Sequence, residues 1–280
     1  MKTIFSVFSV VVLALILGCG GTTDVEELRR LGKEAFANQD YAGAREYLLK
    51  AIATHPSDKD LLYFTGVAYR RDYMFDSALF YLKRADILYP KDRELNLEIY
   101  EIAQALGQWD NAIASLYVIG ETGDGLKKHY AKLSELWGKN EHPANAFYWM
   151  QKAMEENPDE PDYFMKAAHL AVICVSPDSA ISILDSAMRA FGDKEVLLAN
   201  KATYLVYKED FVGAEKILRG LVAGDTAVAE FKLNLANVLS SQENRAKQTE
   251  ALDLFRTIKD RVNPAFNLDS VITALEDKLQ

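Results

Sequence analysis

Basic charge, cysteine, proline and glycine are all scarce in this chain, and each scarcity removes a class of protein. Lysine and arginine total 32 against 41 acidic residues, a net charge of −9. Nucleic-acid binding depends on a basic stripe that displaces counterions from phosphates, and no such stripe occurs. Two cysteines, Cys19 and Cys174, cannot build a disulfide framework. Cys174 lies in the apolar run HLAVICV and reads as a small buried hydrophobe with an inert thiol. Seven prolines and 15 glycines in 280 residues leave little material for linkers or hairpin turns, which points to helix. The one long apolar run, residues 4–17, falls short of the ~20 residues that span a bilayer as a helix.

Catalytic motifs are also missing. The four histidines, His55, His129, His142 and His169, show no metal spacing, and GxSxG, Walker and CxxC patterns do not occur. The acidic cluster EENPDEPD (155–162) lacks the alternating ligands and glycine of a calcium loop, so it reads as a solvated turn. The expectation is therefore a protein that is not an enzyme, with no catalytic residue, metal site or cofactor.

What is present begins at the N-terminus, MKTIFSVFSVVVLALILGCGGTTD: a lysine, an apolar run, then a small residue before cysteine. This is the layout of a secretory signal. The stretch LILGC resembles the lipobox of bacterial lipoproteins. The resemblance implies cleavage after Gly18, acylation of Cys19 and anchoring to a membrane. Gly20, where an aspartate would mark retention at the inner membrane, implies an outer-membrane location facing the periplasm. A short tether over 19–24 would hold the folded body close to the lipid.

From Val25 onward the chain repeats with a 34-residue period. Position 20 of this frame reads Ala44, Ala78, Ala112, Ala146, Ala180 and Ala214. Position 24 reads Leu48, Leu82, Leu116, Met150, Leu184 and Leu218, and position 27 reads Ala51, Ala85, Ile119, Ala153, Ala187 and Leu221. Position 8 reads Gly32, Gly66, Tyr100, Ser134, Ala168, Ala202 and Ala236. Prolines at position 32 (Pro56, Pro90 and Pro158) stop a helix, since proline lacks the amide to continue one. Small residues at 8, 20 and 27 let two antiparallel helices approach, while aliphatics at 24 and aromatics near 17 (Tyr41, Phe75, Trp109, Phe211) fill the space between.

These residues, at this period, resemble the tetratricopeptide repeat (TPR) family over about 25–265. The resemblance implies an all-α solenoid of about seven helix-turn-helix repeats, with 266–280 (FNLDSVITALEDKLQ) as a capping helix. Asp24 and Glu27 suit a capping box at the start of the first helix. Repeat three departs from the pattern, with Tyr100 at a small-residue position and GETGDG (120–125) in place of the proline, a candidate joint. In repeat seven a three-residue insertion shifts the frame.

In TPR proteins, positions 2, 5, 6, 9, 12 and 13 of each first helix face a binding groove. Carried onto this chain, the rule offers Arg29, Lys33, Tyr63, Phe64, Arg70 and Arg71, then Glu94, Glu98 and Glu101, and later Asn200, Thr203, Tyr207, Asn234 and Asn237. Asparagine amides both donate and accept, so spaced amides suit a peptide backbone. The lysine and asparagine pattern of carboxylate-clamp TPRs does not occur on any consecutive pair. The implied function is a membrane-anchored scaffold that binds a protein partner or extended peptide segment and assists a cell-envelope complex. In layout it is similar to the TPR lipoproteins of pilus and outer-membrane assembly. Two alternatives stand beside it: a small-ligand or glycan-binding lipoprotein of an uptake system, although the three tryptophans do not cluster, and an accessory subunit that positions an enzyme.

Overall fold

The computed structural model describes residues 24–223, 228–261, 263 and 267–280, which form fifteen α-helices and no strand. The signal segment 1–18, Cys19, its tether as far as residue 23, and Pro264 lie outside the described residues. Two compact units divide between Leu126 and Lys127. The first holds three helix hairpins: α1 (Val25–Ala37) with α2 (Tyr41–Thr54), α3 (Lys59–Arg71) with α4 (Phe75–Leu88), and α5 (Arg93–Ala105) with α6 (Trp109–Thr122). A short 3-10 turn, Leu126–His129, leads to the second. There α7 (Tyr130–Lys139) pairs with α8 (Pro143–Glu156), α9 (Pro161–Cys174) with α10 (Pro177–Phe191), α11 (Glu195–Tyr207) with α12 (Phe211–Val222), and α13 (Ala229–Ser240) with α14 (Arg245–Ile258). A last helix, α15 (Leu268–Leu279), packs on α14 and buries Leu268, Ile272 and Leu275 beside Phe255. The expected seven TPR-type hairpins and closing helix are therefore present, three hairpins in one unit and four in the other.

Size selection at the frame positions explains the hairpins. Every position-20 alanine from Ala44 to Ala214 is 0% exposed, and the position-24 aliphatics are at most 3% exposed. Each buried leucine in this row contributes about 1.5–3 kcal/mol. Gly66 sits so close to the second helix that an added Cβ would lie 2.5 Å from Leu82 Cγ and 3.2 Å from the Ala78 carbonyl. At the same position in repeat four, the Ser134 hydroxyl donates to the Ala146 carbonyl at 2.7 Å, using that proximity for a buried hydrogen bond.

The turn within each of the first six hairpins has a common closure that no repeated residue announces. The amide at position 16 donates to the carbonyl at position 11: Asp40 to Ala35, Met74 to Tyr69, Gln108 to Ala103, His142 to Trp137, Ser176 to Ala171 and Asp210 to Leu205, all at 2.8–3.0 Å. The preceding residue is left-handed in five of these turns, at Gln39, Tyr73, Gly107, Glu141 and Glu209. This is the Schellman closure of a helix end, and only Gly107 uses the residue that favours it. Asp40 and Asp210 then cap the following helices by accepting from the Gly43 and Gly213 amides, each at 2.9 Å.

Two local expectations change. Asp24 does cap α1, accepting from the Glu26 amide at 3.2 Å. Glu27, however, does not close a reciprocal box: both its oxygens accept from Arg30 at 2.9 Å, since a guanidinium one turn on offers two charge-assisted donors. The GETGDG joint is also shorter than expected, because α6 runs to Thr122 with Gly120 buried inside it. Only Gly123–Gly125 leaves the helix, closed by a Gly125 amide to Gly120 carbonyl bond of 3.1 Å.

Polar staples add to the apolar seam between successive repeats. Glu215 of α12 accepts from Lys247 at 2.6 Å, from Gln242 at 2.9 Å and from Arg219 at 2.9 Å, while Arg219 also forks onto Glu250. Burial alone would raise the Glu215 carboxyl, but these donors outweigh it and hold its pKa down at about 2.

Because a depressed carboxyl stabilises above its unfolded pKa, this contribution is full above about pH 4.5 and is lost as pH falls towards 2. Glu215→Gln should cost roughly 2 kcal/mol at neutral pH and flatten that acid limb, read by denaturation across pH. Gly66→Ala should cost about 1–3 kcal/mol by overpacking, although alanine is the better helix former. Gly220→Ala, with nothing within 4 Å of the new methyl, should add about 0.5–1 kcal/mol. Chemical denaturation tests the opposite signs, and a gain at Gly66 would remove the close-approach account.

Candidate functional site

In the first unit the residues expected to meet a partner mostly pair within the unit itself. Arg29 forks onto Asp58 at 2.6 and 3.2 Å, and Asp58 also caps α3 through the Leu61 amide. Lys33 reaches Asp60 at 2.8 Å and lies 4.7 Å over the Phe64 ring. Arg70 Nε and Glu98 Oε2 form an ion pair at 2.5 Å, both side chains largely buried. Burial pushes the Glu98 carboxyl above its ordinary value despite the Arg70 and Arg71 charges beside it. Tyr63 is half-buried, and burial with the nearby Glu98 charge raises its hydroxyl too. Arg71 and Glu101 remain at the surface, where with Tyr73 and Phe75 they border a cleft of about 300 Å³.

In the second unit the asparagines come together in a trough. Its end cavity, 150 Å³, is lined by Asn234, Asn237, Thr203 and Tyr207. Thr203 and Tyr207 continue into a 420 Å³ cavity with Asn200, His169 and Tyr204. Asn200, His169 and Tyr204 continue again into a cavity of 910 Å³ that reaches Lys166, Lys132 and Lys128. The Asn200 amide donates to its own helix at Val196 (2.9 Å), whereas the Asn234 and Asn237 side chains make no hydrogen bond within the described residues. Tyr163, Met150, Met165 and Leu170 give the wide end an apolar floor. Glu135, on the same wall, takes Lys139 at 2.7 Å and Lys132 at 3.0 Å; these hold its carboxyl below the usual range against the opposing effect of burial.

The wide end was missed from sequence although its signal was there. Lys128, Ala131, Lys132, Glu135 and Gly138 are positions 2, 5, 6, 9 and 12 of repeat four, and Lys166 and His169 are positions 6 and 9 of repeat five. The groove rule carried onto these two repeats finds them. Cys174 is half-buried, donates to the Leu170 carbonyl at 3.0 Å, and has its thiol pushed up by burial, which suits an unreactive sulfur. His55 and His142 are exposed at helix ends. Trp137 is half-buried, its ring edge against His142 at 5.5 Å. Among the described residues no cluster of three His, Cys, Asp or Glu could hold a metal ion, and no helix is long and apolar enough to cross a membrane.

No family model matches this sequence, and no curated protein matches it. Solved structures are similar in fold. A chain of the Naa15/Naa10 structure bound to HypK-THB aligns with TM-score 0.61 and 14% identity, over 90% of this chain and 39% of that one. The C-terminal part of a TPR repeat-containing protein from Cytophaga hutchinsonii aligns with TM-score 0.52 and 14% identity, over 86% and 98%. Yeast Tom70 aligns with TM-score 0.50 and 20% identity, over 91% and 54%. The chain thus spans about two fifths of the first of these and about half of Tom70. At such identities the likeness is one of fold.

Arg70→Met tests whether the first unit's cations are structural. It leaves Glu98 buried without its partner and should cost about 2 kcal/mol at neutral pH. The deficit should narrow as pH falls towards 4.5, because a carboxyl with a raised pKa regains stability on protonation. Unchanged denaturation midpoints at neutral pH would show that the pair contributes nothing.

Proposed function

We propose that this chain is a non-enzymatic scaffold that holds a protein partner along the trough of its second unit, while acylated Cys19 ties it to a membrane of the cell envelope. The observation that carries the reading is the trough itself. It is a row of connected cavities lined at the frame positions that face outward from successive first helices, with the Asn234 and Asn237 amides left without internal partners. The Asn234 amide is partly sheltered and that of Asn237 is exposed; with no internal bond, both can pair with a backbone laid across them. The TPR-type architecture adds support, since the Naa15/Naa10 structure is itself an assembly that includes HypK-THB. The lipobox-like LILGC supports the anchor, and Gly20 supports an outer-membrane site facing the periplasm. A role in assembling or regulating an envelope complex follows from combining anchor and trough. The glycan-binding alternative draws no support from tryptophan, because Trp109, Trp137 and Trp149 do not line the trough.

Two experiments test the two halves. Cys19→Ser should abolish palmitate labelling and move the chain from the membrane to the soluble fraction; an unchanged distribution would overturn the anchor. Affinity capture from detergent-solubilised envelopes should recover a stoichiometric protein. Asn234→Ala with Asn237→Ala should reduce that recovery at least about fivefold while leaving the melting temperature unchanged, since neither side chain is bonded internally. Capture indifferent to this variant but lost on Arg71→Glu would move the binding surface to the first unit.

A further inference from the structure

The trough is electrically lopsided. All of its lysines and its one acid lie at the wide end: Lys128, Lys132 and Lys166 against Glu135. The other two cavities are lined by no Lys, Arg, Asp or Glu at all. Lys128 is engaged in an interaction of its own, so the charge this end can offer is that of Lys132 and Lys166, in a chain whose net charge is −9. Glu135 does not neutralise both. Its carboxylate is already shared by Lys132 and Lys139 and stays ionised in doing so. Lys166 makes no hydrogen bond or ion pair among the described residues and is exposed to solvent. The first unit behaves differently, since there Arg29, Lys33 and Arg70 each have a carboxylate that caps or lies on the first helix of the following hairpin. A cation that the fold leaves unmatched along a sheltered cleft, as Lys166 is, complements a negatively charged partner.

Resting on the scaffold reading above, we propose that the occupant of this trough is an extended, acidic segment of a partner protein, bound in one orientation. Its carboxylates meet Lys132 and Lys166, an apolar or aromatic side chain settles on the Met150, Met165 and Tyr163 floor, and its neutral remainder lies along Asn200, Asn234 and Asn237. Four first helices spaced by about 10 Å give room for about nine extended residues. The amides read backbone and are indifferent to side chains, so the lysine end alone supplies direction and charge selectivity. The attraction between exposed charges is weakened by salt, so binding of the acidic class is salt-sensitive.

The test uses the full chain in detergent and a labelled ten-residue peptide with three glutamates at one end, a central phenylalanine and serine and glycine elsewhere. A second peptide carries glutamine in place of glutamate. The acidic probe should bind about tenfold or more tightly than its glutamine copy at low salt, and lose that advantage at high salt. Lys132→Glu with Lys166→Glu should reduce the acidic probe to the level of the glutamine copy and leave the copy unchanged. Lys166→Glu alone, at a side chain with no internal partner, should act in the same direction without disturbing Glu135. Asn234→Ala with Asn237→Ala should weaken both peptides equally. A photocrosslinker beside the glutamates should attach to α7 or α9, and one at the neutral end to α11 or α13. Equal binding of the two peptides, reversed crosslinks, or lysine-dependent binding of anionic phospholipid vesicles in preference to the acidic peptide would overturn the proposal. If the acidic class fails while envelope capture still depends on Asn234 and Asn237, the scaffold reading stands. If capture ignores the trough altogether, the scaffold reading falls with it.

Discussion

The close approach of the two helices in each hairpin is the constraint on which the rest depends. At position 8 the first helix presents glycine, serine or alanine to the carbonyl and side-chain row of positions 20 and 24 on the second. A larger group there would separate the axes, and the leucines of position 24 would lose the contacts that bury them completely. With that distance set, each hairpin leaves an apolar face that only another hairpin can cover, and so the repeats stack within each unit. Repeat three tolerates Tyr100 at this position as a half-buried residue, and the first unit ends at that repeat.

Stacking brings polar residues about one repeat apart into contact, and the two units use this differently. In the first, cations of one first helix reach acids at the start of or along the next first helix, and Asp58 and Asp92 serve both as helix caps and as acceptors for Arg29 and Lys59. Each such aspartate satisfies orphan amides at a helix start while anchoring the first helix of the preceding hairpin, so cap and staple reinforce one another. In the second unit the corresponding caps are Glu160, Lys194 and Val228, none of which makes a side-chain cap. The staples there use other positions, joining Lys201 to Asp185, Lys208 to Asp178, and Arg219 and Lys247 to Glu215. The first helices of repeats four to seven consequently keep polar side chains turned to an open trough, and a surface so furnished suits association better than stability.

Much of the fold was legible in the residues because close packing is unforgiving of volume. The alanine row, the leucine row and the residues at positions 8 and 27 identify the hairpins without reference to any partner, and all but Tyr100 and Leu221 proved buried where the frame put them. The hairpin turn was not legible. Its left-handed residue is Gln39, Tyr73, Glu141 or Glu209 as readily as Gly107, since the position-16 to position-11 bond sustains that conformation whatever the side chain. Of the candidate site residues, the asparagine cluster was readable as a set. The lysine end became visible only when repeats four and five were placed beside it.

The sequence by itself determined the period, the small and large residues that define each hairpin, and the helix stops, because these depend on neighbours within one repeat. The tertiary structure alone decided which charged residues would be free. Arg29 and Arg70 look no different in sequence from Lys166, yet the first two find carboxylates on the next repeat and the third does not. Whether a cation stabilises the protein or awaits a ligand is set by what stands within a few ångströms of it, and that is a property of how repeats stack.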